Sequence, residues 1–431
     1  MSVYVPLEIR QTKSPISFAL TNFKTKLMLT FMRKLLCCLI LAFFSSVQLA
    51  TAQSDVLPPV VRNLTGEVTP VAVVSSNERV QALVSKAFSI HGAYVLAAQG
   101  KSDFTFSIEP TGANSVSLEI LSGSPAQSLY KQQVSGKSLN DAALRAADLA
   151  VAKTSGLKGF FAGRIAFVGR RGSSTDLYEG DLFFQEVRQL THDKVQCVRP
   201  CFSPDGKTIL YTSYFRNGFP DIYKIDLASG KRDVFLSFNG VNTGPTYSPN
   251  GAQVAMILSG TGNSELYTIG SDCKNMVRLT KNKSLESDPS WSPDGKTIVL
   301  ASDNSATGKP QLYIIPAVGG TMKRLPTNIS SYCAEPAWNP VEPNIIAFTI
   351  AQAGAFEVAI YNISTSESHT VSQGAGDAVE PAWTRDGRHL IYTERNPNHR
   401  RLVLLDTKTG RKSYLGSNEW GDASQAGYVY P

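Results

Sequence analysis

The chain is poor in the residues from which catalytic and metal centres are usually assembled. Its five histidines, His91, His192, His369, His389 and His399, are scattered, and none falls on a segment expected to line a channel. No Gly-x-Ser-x-Gly elbow, His-Glu-x-x-His pair, phosphate-binding loop or dinucleotide glycine fingerprint occurs, so the reactions those motifs serve lose support. Positive charge is scarcer than the formal +7 suggests, because Arg10, Lys13, Lys24, Lys26, Arg33 and Lys34 face only Glu8 within residues 1–52. The nearly neutral remainder argues against a nucleic-acid partner, since phosphate binding needs a clustered positive field. Apolar runs are short as well. Leu35 to Phe44 falls below the roughly 20 residues that span a bilayer. It follows Met32-Arg-Lys and precedes Ala50-Thr-Ala52, the layout of a secretory signal peptide cleaved before Gln53. Residues 1–52 are therefore read as a leader with its signal at 32–52, and the mature chain as exported.

What the sequence has in quantity is a repeat. Pro289-Ser-Trp-Ser-Pro-Asp-Gly-Lys296 returns as Pro200-Cys-Phe-Ser-Pro-Asp-Gly, Pro245-Thr-Tyr-Ser-Pro-Asn-Gly, Pro336-Ala-Trp-Asn-Pro and Pro381-Ala-Trp-Thr-Arg-Asp-Gly. The aromatics Phe202, Tyr247, Trp291, Trp338 and Trp383 are 45, 44, 47 and 45 residues apart, and a further step of 45 lands on Tyr428. A period in the mid-forties with several short strands per unit predicts a β-propeller of four-stranded blades. Asp-Gly and Asn-Gly supply the positive φ of the hairpin between strands one and two, and the aromatic is expected to pack between blades. Arg164 to Val168, Asp176-Leu-Tyr178 and Glu186 to Leu190 read as strands two to four of a blade with no inner strand of its own. The C-terminal Gln425 to Pro431 supplies it, so six blades close into a ring without exposed sheet edges. Cys197 and Cys201 are too far apart on one extended strand to bridge, and Cys197 and Cys333 fall on opposite walls of that ring. Free thiols are the expectation for these and for Cys273.

Ahead of the propeller, residues 53–65 form an extended arm containing Pro58-Pro59, and 66–157 a small α/β domain. In it Thr69 to Val74 is a buried strand. Ser75 and Glu78 read as the capping box of a helix whose Val80, Leu83, Val84, Ala87 and Phe88 share a face, with Gly92 ending it. Strands follow at Phe104 to Ile108, Val116 to Leu121 and Leu129 to Val134, then a helix opened by Ser138 and Asp141 and stopped near Gly156. The fold class is mainly β: a six-bladed propeller over 158–431 behind an α/β domain.

The residue before each blade proline is Arg199, Gly244, Asp288, Glu335 or Glu380, and these five should stand at the entrance of the central channel. The arrangement suits a partner-docking mouth. Calcium is the one cation such carboxylates would hold if they converge, and no other cofactor or metal is expected. Polysaccharide binding or cleavage by these acids is the alternative. A peptidase-gating propeller would need a hydrolase domain with a nucleophile elbow, which the sequence does not contain.

With its signal peptide, α/β domain and Ser-Pro-Asp-Gly propeller, the chain resembles the TolB family of soluble periplasmic proteins of the Tol-Pal cell-envelope system. Phe202-Ser-Pro-Asp-Gly-Lys207, Asp221-Ile-Tyr-Lys-Ile-Asp-Leu227, Arg188-Gln-Leu-Thr191 and Trp291-Ser-Pro-Asp-Gly-Lys296 carry the likeness most clearly. The resemblance implies a non-enzymatic, monomeric adaptor that helps maintain the outer membrane and reaches membranes only through partners. It implies docking of the peptidoglycan-associated lipoprotein Pal at the channel mouth, on Val241, Asn242, Gly244, Ser287 and Asp288, and contact with TolA through the arm. Asp288 is expected in an exposed position, where reversal to Arg would weaken docking and leave stability unchanged.

Overall fold

The Pro-Val-Ala-Val-Val run marked as buried forms β1 (Thr69–Val74), and its inward side chains are covered on both faces. The computed structural model describes residues 68–431 apart from 172–173, 217, 375 and 417–419. The leader, the signal peptide and the arm lie outside the described residues. β1 runs parallel to β2 (Tyr94–Leu96) and β3 (Phe104–Gly112), and β3 continues as an antiparallel meander through β4 (Ser115–Ser122) and β5 (Gln127–Ser135). The sheet order is β2-β1-β3-β4-β5. At three residues, β2 is too short to leave a periodic trace in sequence.

Helix α1 (Glu78–Ile90) is capped by Asn77, whose Oδ1 accepts from the Val80 N–H at 3.1 Å; Ser75 sits two residues back, its hydroxyl accepting from the Asn77 N–H. The cap expected at Ser75 is therefore displaced by two residues. The helix ends at His91 rather than Gly92. Gly92 serves another purpose: a Cβ there would lie 2.0 Å from Asp406 Oδ2, so only glycine lets this turn approach the propeller so closely. Helix α2 (Leu139–Ser155) starts at Ser138, which accepts from Asp141 N–H, and stops at Gly156 with φ 73°. Its buried alanines, Ala142, Ala143, Ala146, Ala147 and Ala150, allow close packing, and the apolar cluster around them runs on into Phe167, Ile391, Leu402 and Leu404 of the propeller.

Six four-stranded sheets follow. Blades 1 to 6 have the inner strands Cys197–Phe202, Asn242–Tyr247, Glu286–Trp291, Cys333–Trp338, Asp377–Trp383 and Asp422–Val429. The last pairs antiparallel with Arg164–Arg171, placing Tyr428 opposite Ile165, so the two ends of the propeller share blade 6. Trp291 and Trp383 are buried and donate their indole N–H to Thr246 O and Ala337 O of the preceding blade, which fixes the spacing between neighbours. Ser203, Asp205 and Gly206 show the turn chemistry: the Ser203 hydroxyl donates to Asp205 Oδ1 at 2.6 Å, Lys207 N–H donates to the same oxygen, and Gly206 takes φ 67°. The cysteines Cys197, Cys201, Cys273 and Cys333 are free.

Candidate functional site

Each inner strand carries a β-bulge at the residue before its proline position. In blade 2 the register passes from Thr243 opposite Ile257 to Thr246 opposite Ala255, and the same shift recurs in the other five blades. The bulge drives one residue per blade into the left-handed region: Arg199, Gly244, Asp288, Glu335, Glu380 and Gln425 have φ of 56°, 63°, 55°, 52°, 59° and 55°. Glycine takes this geometry freely, whereas each of the other five bears about 1 kcal/mol of strain. All six line one cavity of about 200 Å³ at the channel mouth.

The side chains form a directional chain around the mouth. Glu335 Oε2 accepts from the Glu380 N–H at 2.8 Å, Glu380 Oε1 from Gln425 Nε2 at 2.7 Å, and Gln425 Oε1 from the Arg199 N–H at 2.9 Å. Gly244 has nothing to pass on, and Arg199 reaches over it to pair with Asp288. Thr349 and Thr393 donate from the second strands to Glu335 and Glu380 at 2.8 Å. Burial, then the charges of Glu380 and Asp288, push Glu335 up to about 7, against the pull of Arg199. Burial opposes the Arg199 charge, but Asp288, Glu335 and Glu380 outweigh it and raise its pKa.

Of the residues expected at the mouth, Arg199, Gly244, Asp288, Glu335 and Glu380 come together, and Ser287 donates to Asp288 Oδ2 at 2.7 Å. Asp288 departs from expectation: its side chain is only 9% exposed and is held by Arg199. Val241 is exposed on the adjoining loop, outside the cavity. Asn242 is fully buried, and its amide is spent on Pro220 O, Phe238 O and Gly240 O, so it shapes loops rather than meeting a partner. Gln425 was not among the expected residues, because alanine, not proline, follows it. Counting three residues back from Tyr428, as Arg199 stands before Phe202, would have found it.

Two of the supposedly scattered histidines meet away from the channel. The rings of His91 and His389 lie 4.7 Å apart, beside Phe160. Among the described residues, His91, Asp386 and His389 have the proximity of a metal-ligand set, but their lone pairs are committed. His91 Nδ1 accepts from the Ala93 N–H, which leaves its proton on Nε2. His389 contacts Asp386 through Nδ1 at 2.6 Å and Asp406 through Nε2 at 3.3 Å. Burial opposes its charge, yet these two carboxylates prevail and raise its pKa, while burial and His389 push His91 well down. The ion pairs lie within blade 5, and the neutral ring of His91, at the C-terminal end of α1, packs against them.

The family model of the TolB beta propeller domain matches residues 151–428. The Tol-Pal system protein TolB of Bordetella pertussis is 30% identical over 175 residues, 40% of this chain and 39% of the relative, and the Bordetella bronchiseptica protein gives the same values. The chain thus spans about 39% of the length of these curated relatives. The crystal structure of TolB from Acinetobacter baumannii superposes with a TM-score of 0.75 at 22% identity, covering 84% of this chain and 97% of that one, a likeness of fold.

Proposed function

The chain belongs to the TolB β-propeller family, and from that premise we propose that it is a non-enzymatic component of a Tol-Pal cell-envelope system, acting in the periplasm as a monomer. Its task in this reading is to dock a peptidoglycan-associated lipoprotein at the channel mouth and so help hold the outer membrane in place. A second contact, of residues 53–65 with TolA, is proposed on the family resemblance alone.

The supporting observation is the ring of six left-handed residues around one cavity. A left-handed residue repeated in every blade, strained in all but the Gly244 blade and kept in register, points to a surface shaped for recognition. Chemistry on a glycan is less well served, because each carboxylate is engaged: Asp288 by Arg199 and Ser287, Glu335 by Thr349 and the Glu380 N–H, and Glu380 by Thr393 and Gln425. The test is a pull-down from detergent-solubilised envelope with residues 53–431 as bait, followed by titration with the purified lipoprotein. Recovery of a peptidoglycan-binding lipoprotein that binds in direct titration is expected. Recovery of glycan fragments alone would overturn the adaptor reading.

A further inference from the structure

Beside the mouth, the loops of blades 1 and 2 hold apolar side chains out in water. Phe219 is 63% exposed, Phe238 48% and Val241 38%. They sit on two segments, 218–220 and 237–241, that Asn242 fastens together. Its Nδ2 donates to Pro220 O at 3.1 Å and to Phe238 O at 2.8 Å, while its Oδ1 accepts from the Phe238 N–H at 3.0 Å. The buried amide thus makes two adjacent loops into one shelf, and its own inner strand leads two residues later to Gly244 in the mouth.

The neighbouring loops extend the shelf with charge of one sign. Val241 N–H donates to Ser259 Oγ at 2.7 Å, and Asn263 Nδ2 to Asn282 O at 3.2 Å, tying loop 279–285 to the same end. The five loops at this end of blades 1 and 2 carry Lys194, Arg216, Lys281 and Lys283, and their single acid, Asp193, is taken by Arg232. Exposed aromatics rimmed by cations, set against an acidic throat a few residues away, form a surface of mixed sign with a fixed geometry.

We propose that Phe219, Phe238 and Val241, bordered by Arg216, Lys281 and Lys283, are the anchor point of the docked protein, and that its matching surface is acidic and carries an exposed apolar side chain. This rests on the reading of the mouth as a protein-docking site and deepens it by assigning the partner's chemistry. An anionic bilayer fits less well, because the mouth sets three carboxylates, Asp288, Glu335 and Glu380, against the single cation Arg199, whereas a protein can place neutral or basic groups over them. Desolvated aromatic anchors carry most of the affinity in such contacts, and rim charges act on rate and salt dependence.

The test titrates the lipid-free peptidoglycan-associated lipoprotein of the same cell into the chain and into the variants F219S/F238S and K281E/K283E, at low and high salt. Both pairs are on the surface, so melting curves should match the parent. Expected are at least thirty-fold weaker binding for the aromatic pair, and at low salt about ten-fold weaker binding for the charge reversal with a flattened salt dependence. If the parent binds and both variants stay within two-fold, the anchor assignment falls and the docking reading stands. If the parent itself does not bind, both fall. Phosphatidylglycerol vesicles that bind the parent and lose F219S/F238S would overturn the proposal in favour of a membrane.

Discussion

Glu335 is the residue on which the ring's behaviour with pH turns. Its carboxyl is raised to about 7 by burial and by its acidic neighbours, so the folded state holds a proton that the unfolded chain releases near 4.5. Stability from this site is complete below about pH 4.5 and is lost as pH rises through about 7. Glu335→Gln keeps the acceptor for Glu380 N–H and removes the titration. It should therefore be more stable than the parent by about 1–2 kcal/mol at pH 8.5 and match it at about pH 4. Thermal melts across that range decide the matter, and parallel curves would refute it. His389 follows the same sign for a different reason: an imidazolium between Asp386 and Asp406 stabilises below its raised pKa and fails as pH climbs through it. His389→Leu takes the imidazolium away from Asp386, which keeps only Thr384 and two backbone N–H donors, while Asp406 keeps Arg388; the loss should cost about 3 kcal/mol in denaturant unfolding. Asp288→Arg, expected from sequence to be silent for stability, should lower the melting temperature because it sets a second cation against Arg199.

At the scale of elements, the terminal strand Asp422–Val429 is the sharpest case. It supplies blade 6 with its inner strand and the ring with Gln425, so deleting residues 422–431 should abolish the cooperative melt, and a truncated chain with an unchanged transition would contradict ring closure. This strand was legible in sequence because Tyr428 keeps the 45-residue step even though the proline is gone. The α1 cap was less legible. Ser75 and Asn77 both suit a cap, and which one meets a free N–H depends on where β1 releases the chain. The five mouth residues next to prolines were readable from their fixed place in the repeat. The role of Asn242 was not, since nothing local says that its amide will meet Pro220 and Phe238. Nor can spacing bring His91 to His389, which are joined only when α1 packs on blade 5.

For the whole molecule, the shared apolar cluster matters more than any boundary in sequence. Phe160, Phe161, Ile391 and Leu402 belong to one core with the side chains of α1 and α2, and Arg411 donates to Ser89 O, His91 O and Tyr94 O across the same junction. The α/β portion and the propeller should therefore unfold together. Calorimetry should give one transition with matching calorimetric and van't Hoff enthalpies, and two resolved transitions would show the cores to be independent. The shared sixth blade also has a consequence in time. Strands near residue 164 must wait for a partner made some 260 residues later, so blade 6 stays open along one edge while the rest of the chain is being synthesised. Contacts this distant in sequence form slowly. A ring that cannot close before residues 422–429 emerge remains unlatched until then, and that strand is its latch.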